Sequence, residues 1–223
     1  MRIVLAFLAA AAVLAGAAPA HAQFAPAPPV TPHVYVFGIV EGEQMLARKS
    51  FDAVLDESSK STPIFYGGGV EATALWKGLF ARVSVTRTSN EGSRVFVDSE
   101  GRAVPLNIPV TIEMIPIEIG VGWRFGTARQ RGIFGQPYVG AAILLQRYKE
   151  TSEHATADEN VDTRDDGGTV FAGLLFGEGI ARLGLEVLYR HLPDALGAAG
   201  ASEAYGETNL GGAAFRITFG VGF

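Results

Sequence analysis

The chain contains no cysteine, only four lysines and, after Gln23, no long apolar run. Without cysteine no disulfide can hold the fold together, so packing and hydrogen bonds must do so. No later stretch approaches the roughly 18 consecutive apolar residues of a membrane-spanning helix. The net charge of −5 gives no support to binding of nucleic acid by a basic surface. The chain is nevertheless 48% hydrophobic, and it contains 28 glycines and 14 phenylalanines.

The first residues have the pattern of a secretory signal peptide. Arg2 provides a positive start, an Ala-rich apolar run follows, and the segment Ala20–Ala22 fits the small-x-small cleavage pattern. A membrane-anchoring helix is the alternative, and the shortness of the apolar run disfavours it. We therefore expect a signal peptide over 1–22, a Pro/Ala-rich tether over 23–32 and one domain over 33–223.

The last residues alternate with a period of two. The odd positions are apolar, namely Ala213, Phe215, Ile217, Phe219, Val221 and Phe223. The even positions are small or polar, namely Gly212, Ala214, Arg216, Thr218, Gly220 and Gly222. Such alternation predicts a strand with one apolar face.

Eight segments have the character of strands, each about as long as a tilted strand that crosses a bilayer, which needs roughly 9–11 residues. They are His33–Met45, Ile64–Trp76, Leu79–Thr88, Val110–Phe125, Gln136–Glu150, Gly168–Glu178, Ala181–Leu192 and Leu210–Phe223. The connections between them alternate between short and long. The long ones are Ala47–Pro63, Ser89–Pro109, Thr151–Gly167 and Pro193–Asn209. This rhythm is typical of an up-and-down transmembrane barrel with short turns at one end and long loops at the other.

The faces opposite the apolar ones separate a barrel from a soluble β-sandwich, which alternates equally well. They carry Gly, Ala, Ser and Thr with isolated charges, a composition that suits a narrow enclosed space. The predicted lumen charge network is Glu71, Arg82, Glu118, Arg124, Arg182, Glu186, Arg190 and Arg216. An eight-stranded barrel has an interior that side chains just fill. The expected fold is therefore all-β, a closed antiparallel barrel with a filled interior.

Some positions depart from this pattern. The first and fifth strand segments alternate poorly, and their faces cannot be assigned. In the fourth, Ile112 and Met114 are even whereas the apolar residues after Pro116 are odd. A bulge near Ile115-Pro116 would explain the slip. Aromatic residues near strand ends are expected to form two interfacial girdles. They are Tyr35, Tyr66, Trp76, Trp123, Phe125, Tyr138, Tyr148, Tyr189 and Phe223.

With these features, the segment Gln136–Ala142 and the closing segment Phe215–Phe223 resemble those of the small outer-membrane β-barrel proteins. That group includes the opacity-type proteins and the transmembrane domain of outer membrane protein A. The resemblance implies residence in the outer membrane, contact with its lipid and lipopolysaccharide, and no cofactor. It also implies that Phe219, Val221 and Phe223 match the C-terminal signal read by the barrel-assembly machinery.

Three functions are compatible with such a barrel. The first is a structural or surface-interaction role, through long loops that meet an external partner. The second is a narrow conduit for small or hydrophobic solutes. The third is a lipid A-modifying enzyme, and it is disfavoured. A lipid A deacylase uses a His with a Ser two residues later, whereas His191 is followed by Pro193, and Ser202 and Glu203 come only later in the loop. The expectation is therefore a protein without enzymatic activity.

Two motifs resemble ligand sites, but each lacks residues that the site requires. Asp158-x-Asn160-x-Asp162 opens like a calcium-binding EF-hand loop, but Thr163 stands where the turn glycine belongs and Thr169 where the bidentate glutamate belongs. Gly67-Gly68-Gly69 lacks the lysine of a phosphate-binding loop. No metal site is predicted.

Overall fold

The computed structural model describes residues 33–55, 62–126, 135–152, 160–177, 181–197 and 200–223. The predicted signal peptide and tether lie outside these residues, so both stay predictions. The eight strands are β1 His33–Met45, β2 Ile64–Trp76, β3 Leu79–Val97, β4 Ala103–Arg124, β5 Gln136–Ser152, β6 Val161–Phe176, β7 Ala181–His191 and β8 Gly212–Gly222. Two short helices lie between strands, α1 Arg48–Val54 and α2 Gly200–Tyr205.

Each strand pairs antiparallel with the next, and β1 pairs with β8, so the sheet closes on itself. The closing ladder runs from Tyr35 opposite Gly222 to Met45 opposite Gly212. Beyond it, the N–H of Phe223 donates to the carbonyl of Val34 at 2.9 Å. The predicted eight-stranded up-and-down barrel is confirmed.

The barrel has two unlike ends. We call the end that holds the start of β1, the end of β8 and the connections β2–β3, β4–β5 and β6–β7 the turn end. The opposite end is the loop end. The connection between β2 and β3 is the two-residue turn Lys77-Gly78, in which both residues have positive φ angles of 43° and 99°. Glycine adopts the second of these angles without steric cost.

The wall is much taller at one side of the loop end. β3 and β4 contain 19 and 22 residues, whereas β7 and β8 contain 11 each. The predicted loop Ser89–Pro109 is therefore wrong in large part, because both strands continue through it to a turn near 98–102. The predicted loop Thr151–Gly167 is wrong in the same way, since β6 begins at Val161.

The predicted bulge near Ile115-Pro116 is also wrong. The pairing of β4 with β5 is continuous through Ile115 opposite Arg147 and Pro116 opposite Gln146. The described register shifts lie elsewhere, between Ser93 and Val95 of β3 and between Ala72 and Trp76 of β2. Because the strand keeps its alternation, the apolar side chains at 112 and 114 point inward.

Candidate functional site inside the barrel

A layer of buried charges crosses the middle of the lumen. It consists of three arginines and four glutamates from five strands, Glu41, Glu43, Arg82, Glu118, Glu186, Arg190 and Arg216. We call this set the charged layer. Every member is 5% exposed or less. Charges so deeply buried persist only when they are paired and hydrogen-bonded.

Arg216 lies at the centre of the charged layer. Its Nε donates to Glu41 Oε2 at 2.6 Å, its Nη2 to Glu118 Oε2 at 2.7 Å and its Nη1 to Glu186 Oε1 at 3.2 Å. One guanidinium on β8 therefore joins carboxylates from β1, β4 and β7. The planar guanidinium, with five N–H donors in a fixed fork, is suited to serve three carboxylates at once.

The other two arginines extend these contacts. Arg190 Nε donates to Glu118 Oε1 at 3.1 Å, and its Nη1 contacts both Glu41 and Glu43. Arg82 approaches Glu186 through both terminal nitrogens, with the second contact at 2.9 Å. The lumen is thus bridged in several directions by charge-assisted hydrogen bonds, which are about twice as strong as neutral ones.

All eight residues of the predicted lumen network have inward positions, and they lie at three places in the lumen. Five of them belong to the charged layer. Glu71 and Arg124 form a separate ion pair nearer the turn end. The guanidinium carbon of Arg182 lies 3.7 Å from the centre of the Tyr35 ring, at the rim of the turn end.

Glu41 and Glu43 were missed by the sequence reasoning. The inward face of β1 contains Tyr35 and Phe37 as well as these two carboxylates, so the sequence shows no uniformly polar face there. The outward face of β1 could have identified the inward one, because apolar residues occupy its even positions. They are Val34, Val36 and Val40, and they are exposed. Valines at alternate positions would have assigned the glutamates to the lumen.

Between the charged layer and the turn end, large rings pack over glycines. Phe80 lies directly opposite Gly122, Tyr138 opposite Gly173 and Phe171 opposite Gly140. A Cβ added to Gly122 would come within 2.3 Å of the Phe80 ring, and one added to Gly140 within 2.2 Å of the Phe171 ring. The glycines therefore provide the space that the rings occupy. Phe37 and Tyr35 meet Gly69 and Gly222 in the same manner.

At the loop end the lumen is filled by apolar side chains. Barrel positions and loop positions contribute to one buried cluster, which we call the plug. Its members are Met45, Ala47, Phe51, Leu55, Phe65, Ile112, Met114, Leu144, Tyr148, Leu192, Ala195 and Leu210. Phe51 belongs to α1, so the β1–β2 connection folds inward and covers the mouth of the barrel.

One carboxylate joins the two loops that cover the plug. Glu207, which follows α2, accepts hydrogen bonds from the N–H groups of Lys49 and Ser50 at 3.1 and 2.8 Å. The Ser50 hydroxyl donates to the same carboxylate at 2.6 Å. These N–H groups belong to the first turn of α1, where no intrahelical acceptor is available. Glu207 thereby caps α1 and connects the β1–β2 loop to the β7–β8 loop.

The predicted girdles are wrong for three tyrosines. Tyr35, Tyr138 and Tyr148 are buried inside the barrel. The outward aromatics near the strand ends include Trp76 at the turn end, 61% exposed, and Tyr66 nearer the loop end, 62% exposed. Trp76 and Trp123 contact each other edge to face, with ring centres 5.8 Å apart.

The outer surface of the barrel is apolar on all eight strands. Representative side chains are Val36 at 51% exposure, Ile119 at 50%, Val187 at 59% and Phe219 at 60%. In water this belt would greatly exceed the apolar patches of soluble monomers. In lipid it is expected, and closure of the sheet leaves neither β1 nor β8 as an open edge. Fold and surface together define an outer-membrane type of transmembrane β-barrel.

Comparison with solved structures finds chains of low sequence identity. Similar solved structures include the attachment invasion locus protein Ail of Yersinia pestis, with 10% identity, a TM-score of 0.49, and coverage of 87% of this chain and 100% of that one. The outer membrane protein OprG of Pseudomonas aeruginosa has 12% identity, a TM-score of 0.49, and coverage of 86% and 96%. Neisserial surface protein A has 13% identity, a TM-score of 0.45, and coverage of 86% and 95%.

No protein-family model and no curated protein sequence matches the chain. The resemblance to small eight-stranded outer-membrane barrels is confirmed at the level of the fold, because the chain itself closes eight antiparallel strands. At these identities the likeness says nothing about activity or partners. Among the described residues, no helix is long and apolar enough to cross a membrane.

The structure also places the C-terminal signal residues and His191. Phe219, Val221 and Phe223 lie on the outward face of the closing segment, and Phe223 is 79% exposed. Their reading by the assembly machinery stays a prediction. His191 contacts the Asn209 side chain through Nδ1 at 2.8 Å.

Within the described ranges, no group of His, Cys, Asp or Glu side chains is arranged to hold a metal ion. Asp158 of the EF-hand-like segment lies outside those ranges.

Proposed function

We propose that this protein is an integral outer-membrane barrel with a structural and surface-interaction role, exercised through its loop end. The observation that carries this proposal is the filling of the lumen. The charged layer and the plug lie in series across it, and both consist of buried side chains. A conduit would require both to open. We place lipid and lipopolysaccharide against the apolar belt, and the barrel-assembly machinery at the C-terminal strand.

The β3–β4 hairpin supports a role outside the membrane. Beyond the level where its neighbours end, it displays Phe96 at 61% exposure, and Val104 and Leu106 at 47% each. Phe96 and Val104 are directly opposed across the two strands, so they share one face. An apolar face raised on a projecting hairpin is suited to contact with another surface.

The tip of this hairpin is ordered by one carboxylate. The N–H of Arg102 donates to Asp98 Oδ1 at 2.9 Å, and the Arg102 guanidinium donates to Oδ2 at 2.8 Å. The N–H of Glu100 is a third donor. The backbone hydrogen bond from Arg102, with the other two, holds the pKa of the Asp98 carboxyl below its usual value. At a pH above the ordinary pKa of an aspartate, the tip therefore keeps these hydrogen bonds. They are lost as the pH falls through the lowered pKa of Asp98.

Protease accessibility tests the orientation. Trypsin added to intact cells should cut at Arg102, on the hairpin tip, and should spare Lys77 in the β2–β3 turn. Cutting at Lys77 should require permeabilisation of the outer membrane. Early cutting at Lys77 in intact cells would show that the loop end does not face outward.

Conductance and embedding complete the test. The wild-type barrel in planar bilayers should show no stable ion current, and a steady current would favour the conduit instead.

The charge introduced by Ile217→Arg should cost about 2–4 kcal/mol if it lies near the bilayer midplane. Urea unfolding in lipid vesicles measures this cost. An unchanged midpoint would mean that the apolar belt does not meet lipid.

A further inference from the structure

The charged layer does not balance its own charge. It contains four glutamates and three arginines, so with every group ionised it has a net charge of −1. The other inward charges lie elsewhere in the lumen, since Glu71 and Arg124 pair with each other and Arg182 lies against Tyr35 at the rim of the turn end. A buried carboxylate without full compensation is strongly unfavourable, and such a group takes up a proton instead of staying ionised.

The hydrogen bonds identify the carboxylate that is compensated least. Glu118 and Glu186 each accept from two arginines and from at least one hydroxyl group. Glu41 accepts from two arginines, one at each of its oxygens. Among the described residues, Glu43 has a single donor, the Nη1 group of Arg190, which contacts its Oε2. Its Oε1 is buried and has no hydrogen-bond partner there.

Glu43 also shares its donor with a like charge. The same Nη1 group of Arg190 contacts Glu41 Oε1 and Glu43 Oε2, so two carboxylates of β1 converge on one nitrogen. At such close range, the charge on one carboxylate disfavours ionisation of the other. A metal ion is poorly suited to relieve this repulsion, because the Arg190 guanidinium lies against both carboxylates and would repel it. A proton on one of them relieves it directly.

The surroundings of Glu43 supply little further compensation. Its side chain belongs to a residue that is 2% exposed, so water cannot solvate the charge. The charged groups that act on it are Arg190 from β7, Glu41 from its own strand and Glu118 from β4, which makes one attraction and two repulsions. On the β8 side, Oε1 lies near the backbone of Gly212, where an added Cβ would be 3.1 Å from it. The oxygen without a donor therefore stays without one unless it is protonated.

We propose that the charged layer is a proton-binding site and that Glu43 retains its proton well above the pH at which an exposed glutamate ionises. Protonation of Glu43 brings the layer to zero net charge, and Oε2 still accepts from Arg190. The proton leaves when the barrel unfolds, or when the medium is alkaline enough to ionise a second carboxylate beside Glu41. This proposal does not depend on the surface-interaction role, because it concerns the interior of the barrel.

The pH dependence of unfolding tests the proposal. In the unfolded chain Glu43 ionises as an ordinary glutamate, near about pH 4.3, so above about pH 5 unfolding releases a proton and acid favours the folded barrel. The reference is Glu43→Gln, which is neutral at every pH. Relative to it, the unfolding equilibrium constant of the wild type should rise about tenfold per pH unit until the folded barrel itself loses the proton. Urea unfolding in lipid vesicles, with a metal chelator present, measures both.

Glu113→Gln is the matched control. Glu113 lies on the outer face of β4 and pairs with the exposed Arg87, so its removal should leave the steep pH dependence of the wild type in place. Parallel pH dependence of the wild type and Glu43→Gln would overturn the proposal. Loss of the dependence in Glu113→Gln as well would overturn the assignment to Glu43.

Infrared spectroscopy observes the proton itself. At about pH 6 exposed glutamates and aspartates are ionised, so a protonated carboxyl band from the wild-type barrel in D2O must come from a buried acid. We expect this band in the wild type and in Glu113→Gln, and its loss in Glu43→Gln. The wild-type spectrum decides the matter even if Glu43→Gln fails to fold, since a spectrum without the band would overturn the proposal. A band that persists in folded Glu43→Gln would overturn it equally.

Discussion

The two halves of the lumen are filled in opposite ways. On the turn-end side of the charged layer, aromatic rings lie over glycines, arginines stack on the rings, and a cavity remains. On the loop-end side, aliphatic and aromatic side chains from the wall and from two loops form the continuous plug. The difference shows that an inward position need not be small or polar. Where loops cover the mouth, the lumen is shielded from water and can be packed like the core of a soluble protein.

The charged layer separates the two halves, and breaking it should have the largest effect. Arg216→Ile leaves Glu41, Glu118 and Glu186 each without one ion-pair partner. We expect a loss of about 3–5 kcal/mol in the free energy of unfolding, because buried charges are left uncompensated. Urea unfolding in lipid vesicles measures it. Ile217→Val, one residue on and facing outward, is the control. If Arg216→Ile lowers the free energy of unfolding no more than the control does, the charged layer does not stabilise the barrel.

The plug should respond as a packed core. Met114 is fully buried in it, and Met114→Ala should cost about 2–5 kcal/mol through the methylene groups removed and the cavity left. Met114→Leu keeps most of the volume and should cost less than about 1.5 kcal/mol. The same unfolding assay compares the two. Equal, small losses would show that the loop-end half is loosely filled.

The turn-end half should instead be sensitive to added volume. Gly122→Ala brings a methyl group against the Phe80 ring and should cost about 1–3 kcal/mol. Gly38→Ala, where an added Cβ meets only a backbone oxygen at 4.0 Å on the outward face, is the control. Combining Gly122→Ala with Phe80→Leu should recover part of the stability. No recovery would mean that the ring is not what limits the space.

The smallest expected effect concerns the cover of the plug. Glu207→Ala removes the acceptor for the first N–H groups of α1, a loss of about 1 kcal/mol for a typical cap. Hydrogen exchange at Lys49 and Ser50 should accelerate, whereas exchange in the β8 ladder should stay slow. Uniform acceleration across the barrel would show that the loops and the wall unfold as one unit.

Much of this architecture was predictable from local pattern. The bounds of β1 and β2 and the starts of β3 and β5 agree with the predicted segments. The inward charges on β3, β4, β7 and β8 followed from alternation together with the small residues that share their face. Alternation is a local property, because successive side chains of a strand point to opposite faces wherever the strand is placed.

The errors have two physical causes. We took large apolar residues to be outward, so Ile112 and Met114 implied a bulge, and three inward tyrosines were assigned to the girdles. The loops Ser89–Pro109 and Thr151–Gly167 were taken as irregular because their residues are polar. The β3–β4 hairpin carries Val95, Phe96 and Val97 in succession and not at alternate positions, so the period-two pattern did not reveal its strands.

By itself, the sequence determined the number of strands and the face of most charges through period and segment length, and it determined closure because an open sheet edge cannot lie in lipid. Only the tertiary structure decided which charges meet. Glu41, Glu118 and Glu186 converge on Arg216 across the lumen, and their relative heights are set by the pairing register of all the strands together. It also decided that two distant loops would close one end of the barrel, since such contacts depend on the shape of the closed barrel and not on neighbouring residues.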